Sequence, residues 1–416
     1  MTVLSFPHDP HTFGGRPIAQ LAAEQGTPLY AFDSQRITQR IADLRAALPQ
    51  AIGIHYAIKA NPFLPLVRLI AGLVDGVDIA SAGELDLALK ANIAPERVSF
   101  AGPGKRDSEL AQAVAENVLI NAESAGELLR LATIAQRLER QARVALRVNP
   151  AFELKGSGMR MGGGPRPFGI DEEMIPELLA GWSRFGNHLT FEGLHIFSGS
   201  QNLNSEALAD AQRASYQLAV RLAAHAPAPI KTLNLGGGFG IPYFPHESAL
   251  DLTPISAALT EIATHAAQQL PQAKLHLELG RYLVGEAGIY VTRIIDKKVS
   301  RGHTYLVTDG GLNHHLAASG NFGQVIRRNY PVALVPQNNT EKALSPSLDG
   351  VDDTAINAPV SVVGPLCTPL DLLADNVNLA HAAPGDLFVI FQSGAYGASA
   401  SPQNFLSHPP VTEVLL

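Results

Sequence analysis

The sequence predicts an α/β protein: a parallel (β/α)8 barrel over residues 27–285, and a β-rich sandwich or barrel domain made of residues 1–26 and 286–416. Two observations carry this. Eight short β-leaning apolar runs, at 54–58, 77–79, 98–101, 118–120, 144–148, 191–196, 232–235 and 275–278, alternate with longer Ala/Leu-rich segments. Strands that are apolar throughout need cover on both faces, which a closed barrel inside a ring of helices provides. An open doubly wound sheet would meet the same need and is the competing arrangement. Beyond Gly285 the helical periodicity stops, and strand-like stretches follow at 289–295, 305–308, 332–335, 360–363, 387–391 and 411–416.

In chain order, the pattern opens with a helix over 17–25, a strand over 29–32, and a helix capped by Asp33 or Ser34 that runs to 48. The run GIHYAIKAN (53–61) follows. Its apolar residues lead to Lys59, while Asn61 is a good N-cap and Pro62 suits a first helical turn. Lys59 is thus expected at the C-terminal end of a strand, where a poorly hydrated amine would be a nucleophile able to form an imine. On this run alone, a lysine snorkelling from the strand end to water is the better reading. Two later strands share the cap sequence Ser-Ala-Gly-Glu, at 81–84 and 124–127, in which the serine accepts from a helical N–H and the glutamate reaches back. The stretch 338–353 is polar and reads as an exposed loop.

Composition narrows the function. The 416 residues are 46% hydrophobic and 17% charged, with a net charge of −7 and no basic block, which disfavours nucleic acid and anionic membranes as partners. The first residues lack a signal-peptide pattern and no window suits a membrane span, so a cytoplasmic protein is expected. The single cysteine, Cys367, excludes an intrachain disulfide and a cysteine-rich metal site. Its composition-based reading is a small buried thiol.

In such a barrel the chemistry gathers where strands end. Strand two ends at Asp78 and Ser81, strand five at Arg147 and Asn149, and strand six at His195, followed by Ser198. Strand seven runs into Gly236, Gly237 and Gly238, and strand eight into Glu278, Gly280 and Arg281. Each alone fits a structural role: a core histidine, an ion-pair arginine, a tight turn. Together they place an amine, an aromatic ring, a carboxylate and a glycine-lined anion cup at one mouth, which are the needs of pyridoxal 5′-phosphate. The glycines lack the G-x-G-x-x-G spacing of a dinucleotide site.

At this point the residues resemble the fold-type III pyridoxal-phosphate decarboxylases, the diaminopimelate, ornithine and arginine decarboxylases with an alanine-racemase-like barrel. The matching stretches are HYAIKAN (55–61), DIASAGE (78–84), LRVNP (146–150), FGI (168–170), GLHIFSGSQ (193–201), LNLGGGFG (233–240), ELGR (278–281), GPLCTPLD (364–371) and GAYGAS (394–399). The resemblance implies that Lys59 holds the cofactor covalently, that His195 stacks on its ring and that Arg147 lies near the ring hydroxyl. Asp78 falls in the same cofactor-binding set. Ser198, Gly237, Gly238, Gly280, Arg281 and Tyr396 would surround the phosphate, with Arg281 also near the substrate. Glu278 would face the ring nitrogen, favouring decarboxylation over racemisation. Cys367 would help to protonate the α-carbon, and Asp371 would contact the substrate. The segment carrying both would enter the neighbouring subunit's site, implying a homodimer with shared sites.

Two departures bear on the substrate. Diaminopimelate decarboxylases place a glutamate directly after this cysteine, where Thr368 and Pro369 stand here. They also carry an Arg-Pro-x-x-Tyr stretch, for which 314–331 offers Arg327 and Arg328 without that spacing. The Gly/Pro-rich insertion at 156–170 and the HIFSGSQ run look most like the branch acting on derivatised amino acids, such as a γ-glutamyl group on a carrier protein, and would suit a mobile rim. A decarboxylase of free diaminopimelate or another basic amino acid is the alternative, followed by a racemase or a non-catalytic cofactor-binding homologue.

Overall fold

The computed structural model describes residues 9–156, 158–244, 246–322, 327–337, 359–379 and 382–416. The exposed loop expected at 338–353 lies outside the described residues. The chain divides into two compact units: one of residues 37–242 and 249–283, the other of 1–36, 243–248 and 284–416.

The first unit is the barrel. Its strands are β1 (Ile52–Ala57), β2 (Gly76–Ile79), β3 (Val98–Phe100), β4 (Leu119–Ala122), β5 (Ala142–Asn149), β6 (Leu189–Ile196), β7 (Thr232–Gly237) and β8 (Lys274–Leu279). All pair in parallel with their neighbours, and β8 pairs with β1 to close the ring, which excludes the open sheet. Alternation along the strands explains the packing. In β8, Leu275, Leu277 and Leu279 are buried, and they alternate with His276 and Glu278, which are buried on the opposite face. The same alternation in β1 separates Ile52, Ile54 and Tyr56 from His55. The barrel interior is therefore unusually polar, with His55, Asp78, Ser99, Asn121, His195, Asn234, His276 and Glu278 on strands that neighbour one another.

The second unit is a β-sheet structure in which the 13-residue strand Gly288–Ser300 is the spine. Its first half pairs with Leu29–Phe32 on one side and Leu387–Ile390 on the other; its second half pairs with His303–Thr308. Because Leu29–Phe32 takes a place in this sheet, residues 27–36 belong to the β-rich unit and not to the barrel, where the sequence reading put them. Helix Ile18–Gln25 packs Ile18 and Leu21 into a core with Leu29, Ala31, Ile289, Val291, Leu387 and Val389. A strand at Leu372–Val377, not expected from sequence, pairs with Val360–Val363.

Candidate active site

Lys59 sits in a single 3-10 turn, Ile58–Ala60, directly after β1. The following helix begins at Leu64 and not at Pro62. Asn61 is extended at φ −159°, as a residue before proline prefers, and Pro65 occupies the first helical turn instead. The Asn61 side chain still caps locally, its Oδ1 accepting from Phe63 N at 3.0 Å.

Lys59 Nζ donates to Glu278 Oε1 at 3.0 Å, and the other carboxylate oxygen lies 3.2 Å from His195 Nε2. The lysine side chain is 45% exposed, against 4% for Glu278, so the expected poorly hydrated amine is instead half in water beside a buried carboxylate. Burial acts to raise the Glu278 carboxyl, but the charge of Lys59 and the neighbouring His195 imidazole outweigh it and hold the group well below the usual range. Phe197 lies beneath the amine, its ring centroid 5.7 Å from Nζ.

Behind this triad is the polar column. Asp78 is buried, with Oδ2 3.4 Å from His55 Nδ1, and burial followed by the Glu278 charge pushes it up to about 7. His55 and His276 stack at 3.9 Å between centroids. Gly76 makes room for the His55 ring, since a Cβ there would lie 2.5 Å from its Nε2.

Arg147 is buried at the end of β5, its Nη1 2.8 Å from Glu123 Oε1 and its guanidinium 5.1 Å from the Phe168 ring centroid. Glu123 also accepts from the backbone N–H groups of Gly102 and Gly169. Beside it, buried Lys105 donates to Glu127 Oε1 at 2.7 Å. Sequence reasoning missed Glu123, Lys105, His55 and His276. Glu123 carries a visible signal, since it directly precedes the Ser124 cap at a strand end. The two Ser-Ala-Gly-Glu caps form as expected for the serines, which accept from Glu84 N and Glu127 N. The glutamates reach one residue further back than the cap, to Ala80 N and Glu123 N.

The glycine run closes the C-terminal ends of β7 and β8. A Cβ on Gly237 would lie 2.0 Å from the Glu278 carbonyl oxygen, and Gly238 has φ +81° with Gly199 O 2.4 Å from its would-be Cβ. Gly280 lies against Ala60, next to Lys59. Arg281 opens the short helix Arg281–Val284. Ser198 accepts through its carbonyl from Met161 and Gly162, and Met159–Arg160 pairs with Gly199–Ser200. The described part of the 156–170 insertion is thereby joined to the loop after β6.

The remaining expected residues lie on the β-rich unit. Cys367 is exposed, which overturns the composition-based reading of a buried thiol. Asp371 organises its loop: Oδ1 accepts from Leu312 N at 2.6 Å and Oδ2 from Leu366 N at 2.8 Å. Tyr396 has φ +55° and its ring centroid is 6.0 Å from that of Phe322. Arg327 donates to the carbonyls of Ser319 and Leu372, and Arg328 stacks over Phe244. No group of three or more His, Cys, Asp or Glu side chains suited to a metal occurs among the described residues.

A buried, ionised carboxylate beside a half-exposed amine, with glycine-lined strand ends next to both, fits a pyridoxal phosphate. Bound there, the group would supply a ring nitrogen for a carboxylate to face and an aldehyde for an amine to hold. The arrangement thus defines a barrel-type pyridoxal-phosphate enzyme with a carboxylate in the site.

The pyridoxal-binding domain of the pyridoxal-dependent decarboxylases matches residues 34–285, and the chain belongs to that family. It is a pyridoxal-phosphate-dependent amino-acid decarboxylase. An L-glutamyl-(BtrI acyl-carrier protein) decarboxylase of Niallia circulans is 36% identical over 402 residues, covering 96% of this chain and 90% of that one. A 2-((L-alanin-3-ylcarbamoyl)methyl)-2-hydroxybutanedioate decarboxylase of Staphylococcus aureus is 30% identical, covering 95% and 96%. Among solved structures, diaminopimelate decarboxylase of Helicobacter pylori complexed with L-lysine matches with a TM-score of 0.80 at 28% identity, covering 96% and 93%.

Proposed function

We propose that this decarboxylase acts on an amino acid with a derivatised side chain, such as a γ-glutamyl group linked to a carrier protein, and that it works in the cytoplasm as a homodimer with shared sites. The observation that carries the substrate class is the exposed loop at 367–369: the glutamate that would hold a free diaminopimelate's distal amine is replaced by Thr368 and Pro369. The acyl-carrier-protein and carbamoyl-bearing substrates in the names of the two relatives support the same class. Among the described residues no helix is long and apolar enough to cross a membrane.

Bound pyridoxal phosphate supplies an aldehyde for covalent attachment and a ring that accepts the electron pair left when carbon dioxide departs. Lys59 would hold the aldehyde. Glu278, kept ionised, would face the ring nitrogen and favour its protonated form. His195, 3.2 Å from that carboxylate, would lie against the ring, and Arg147, held by Glu123, would lie near the ring hydroxyl. Asp78 completes the cofactor pocket. Ser198, Gly237, Gly238, Gly280 and Arg281 would hold the phosphate. In the dimer, the Cys367 thiol of one subunit provides the α-carbon's proton in the other subunit's site, and Asp371 keeps the cysteine loop in shape against the substrate.

The test is carbon dioxide release from free, γ-amidated and carrier-linked glutamate, with free lysine, ornithine and diaminopimelate alongside. Efficient turnover of free diaminopimelate, with none of the derivatised substrates, would reject the substrate class. A fully active Cys367→Ala enzyme would reject the thiol's role.

A further inference from the structure

The cysteine-bearing loop of the β-rich unit borders a groove of about 820 Å³, within the size range of small-molecule sites. One end is formed by Leu366, Thr368, Pro369 and Asp371 of that loop. From there the groove runs over the sheet, where register sets Lys298 opposite Tyr305 and Tyr305 opposite Ser361.

The floor is built and polar. Ser361, only 2% exposed, donates its single hydroxyl proton to Asp375 Oδ1 at 2.7 Å. Its oxygen therefore accepts from His303 Nε2, 2.9 Å away, which leaves the other ring nitrogen of a neutral His303 as an acceptor. The His303 ring is braced edge-on by Tyr305, with centroids 4.8 Å apart. Lys298 contributes a donor, Tyr305 a hydroxyl of either sense, and Val307 and Val363 an apolar wall. Alternating donors, acceptors and aliphatic surface suit an extended chain of methylenes and amides and suit neither a compact ion nor a purely aliphatic tail.

We propose that this groove binds the amide-bearing acyl substituent of the substrate, with the amino-acid head at the cysteine loop and the substituent lying over His303, Tyr305 and Ser361. The proposal rests on the derivatised-substrate reading above and adds where the substituent is held. A carrier protein's thiol arm and a free small-molecule amide share this chemistry; only the first would gain further affinity from the attached protein.

The test uses the cofactor-loaded full chain and a non-hydrolysable γ-glutamyl amide of pantetheine, with binding followed by calorimetry. Tyr305→Ala and, separately, Val307→Phe should each weaken binding about tenfold, while free glutamate's affinity and the sedimentation of the dimer stay unchanged. The carrier-linked analogue, run in parallel, binds tighter than the pantetheine amide if the carrier is the source. Unchanged binding in both variants overturns the groove assignment, as does equal weakening for glutamate and analogue accompanied by loss of the dimer. Failure of the derivatised-substrate reading looks different: the analogue binds and the variants weaken it, yet no carbon dioxide is released from the matching thioester.

Discussion

Glu278 Oε1 lies 3.0 Å from Lys59 Nζ, joining the last inward residue of β8 to the turn that follows β1. The pair brings a group 4% exposed to one 45% exposed, so the carboxylate is sealed in and its partner amine remains reachable. Replacing Glu278 with Gln keeps the shape and removes the charge. Turnover should fall by on the order of 10²–10³, the range for loss of one preorganised electrostatic contact. The cofactor should still be trapped on residue 59 by borohydride, with peptide mapping as the check, whereas Lys59→Ala should trap nothing there.

Gly237 is tied to the same carboxylate residue through the backbone. A Cβ there would lie 2.0 Å from the Glu278 carbonyl oxygen, so alanine would force β7 and β8 apart at the point where the site is built. Gly237→Ala should cost about 2 kcal/mol or more in urea unfolding and weaken cofactor affinity, read by titration of visible absorbance. Gly104, with nothing within 4 Å of a built Cβ, is the matched control and should tolerate alanine.

The strands of the barrel were legible because each outward row, such as Leu275, Leu277 and Leu279, is apolar. The ends of strands were legible because glycine, histidine and arginine interrupt that texture. The interior was not. His55 and His276 alternate with leucine and isoleucine as the polar face of any half-exposed strand would, and only closure of the ring puts one imidazole on the other. The strand at Leu372–Val377 was hidden by Asp375 and Asn376, the latter at φ +51°, and its pairing has register shifts. Glu123 needed its partner, since an ion pair with Arg147 spans 24 residues and two strands. The 3-10 turn at Lys59 follows from two prolines, of which the sequence reading weighed the first and not Pro65.

The buried histidines predict how stability depends on pH. Burial pushes His276 down to about 3 and His55 to about 4, from an ordinary 6.5. Between about 4 and 6.5 the unfolded chain binds two protons that the folded barrel refuses, so these groups make stability rise with pH. Asp78, pushed up to about 7, keeps a proton that the unfolded chain has lost above 3.8, so its contribution falls over the same window. The net is one proton, a slope of at most roughly 1.4 kcal/mol per pH unit from these three groups. His276→Asn should flatten the urea midpoint of the cofactor-free protein between pH 4.5 and 6 on this count, a window of about 1.5 units chosen to lie inside the titration range. An unchanged slope would mean that the imidazole titrates normally in the fold.

Lys105 and Glu127 form a deeply enclosed ion pair of the barrel wall, with side chains 1% and 3% exposed and a separation of 2.7 Å. The ammonium also donates to the carbonyls of Gly102 and Asn121, so all three of its protons are used inside the protein. Glu127 meanwhile accepts from Glu123 N, linking the pair to the carboxylate that fixes Arg147. Lys105→Met leaves Glu127 buried without its counter-charge and two carbonyls without a donor, which should cost about 3–5 kcal/mol in denaturant unfolding. The double variant Lys105→Met with Glu127→Gln removes the stranded charge and should recover part of that loss. Because Arg147 is one step away, the single variant should also weaken cofactor binding, measured by equilibrium dialysis, more than the double variant does. Equal cofactor loss in both would show that the pair supports the fold without influencing the arginine.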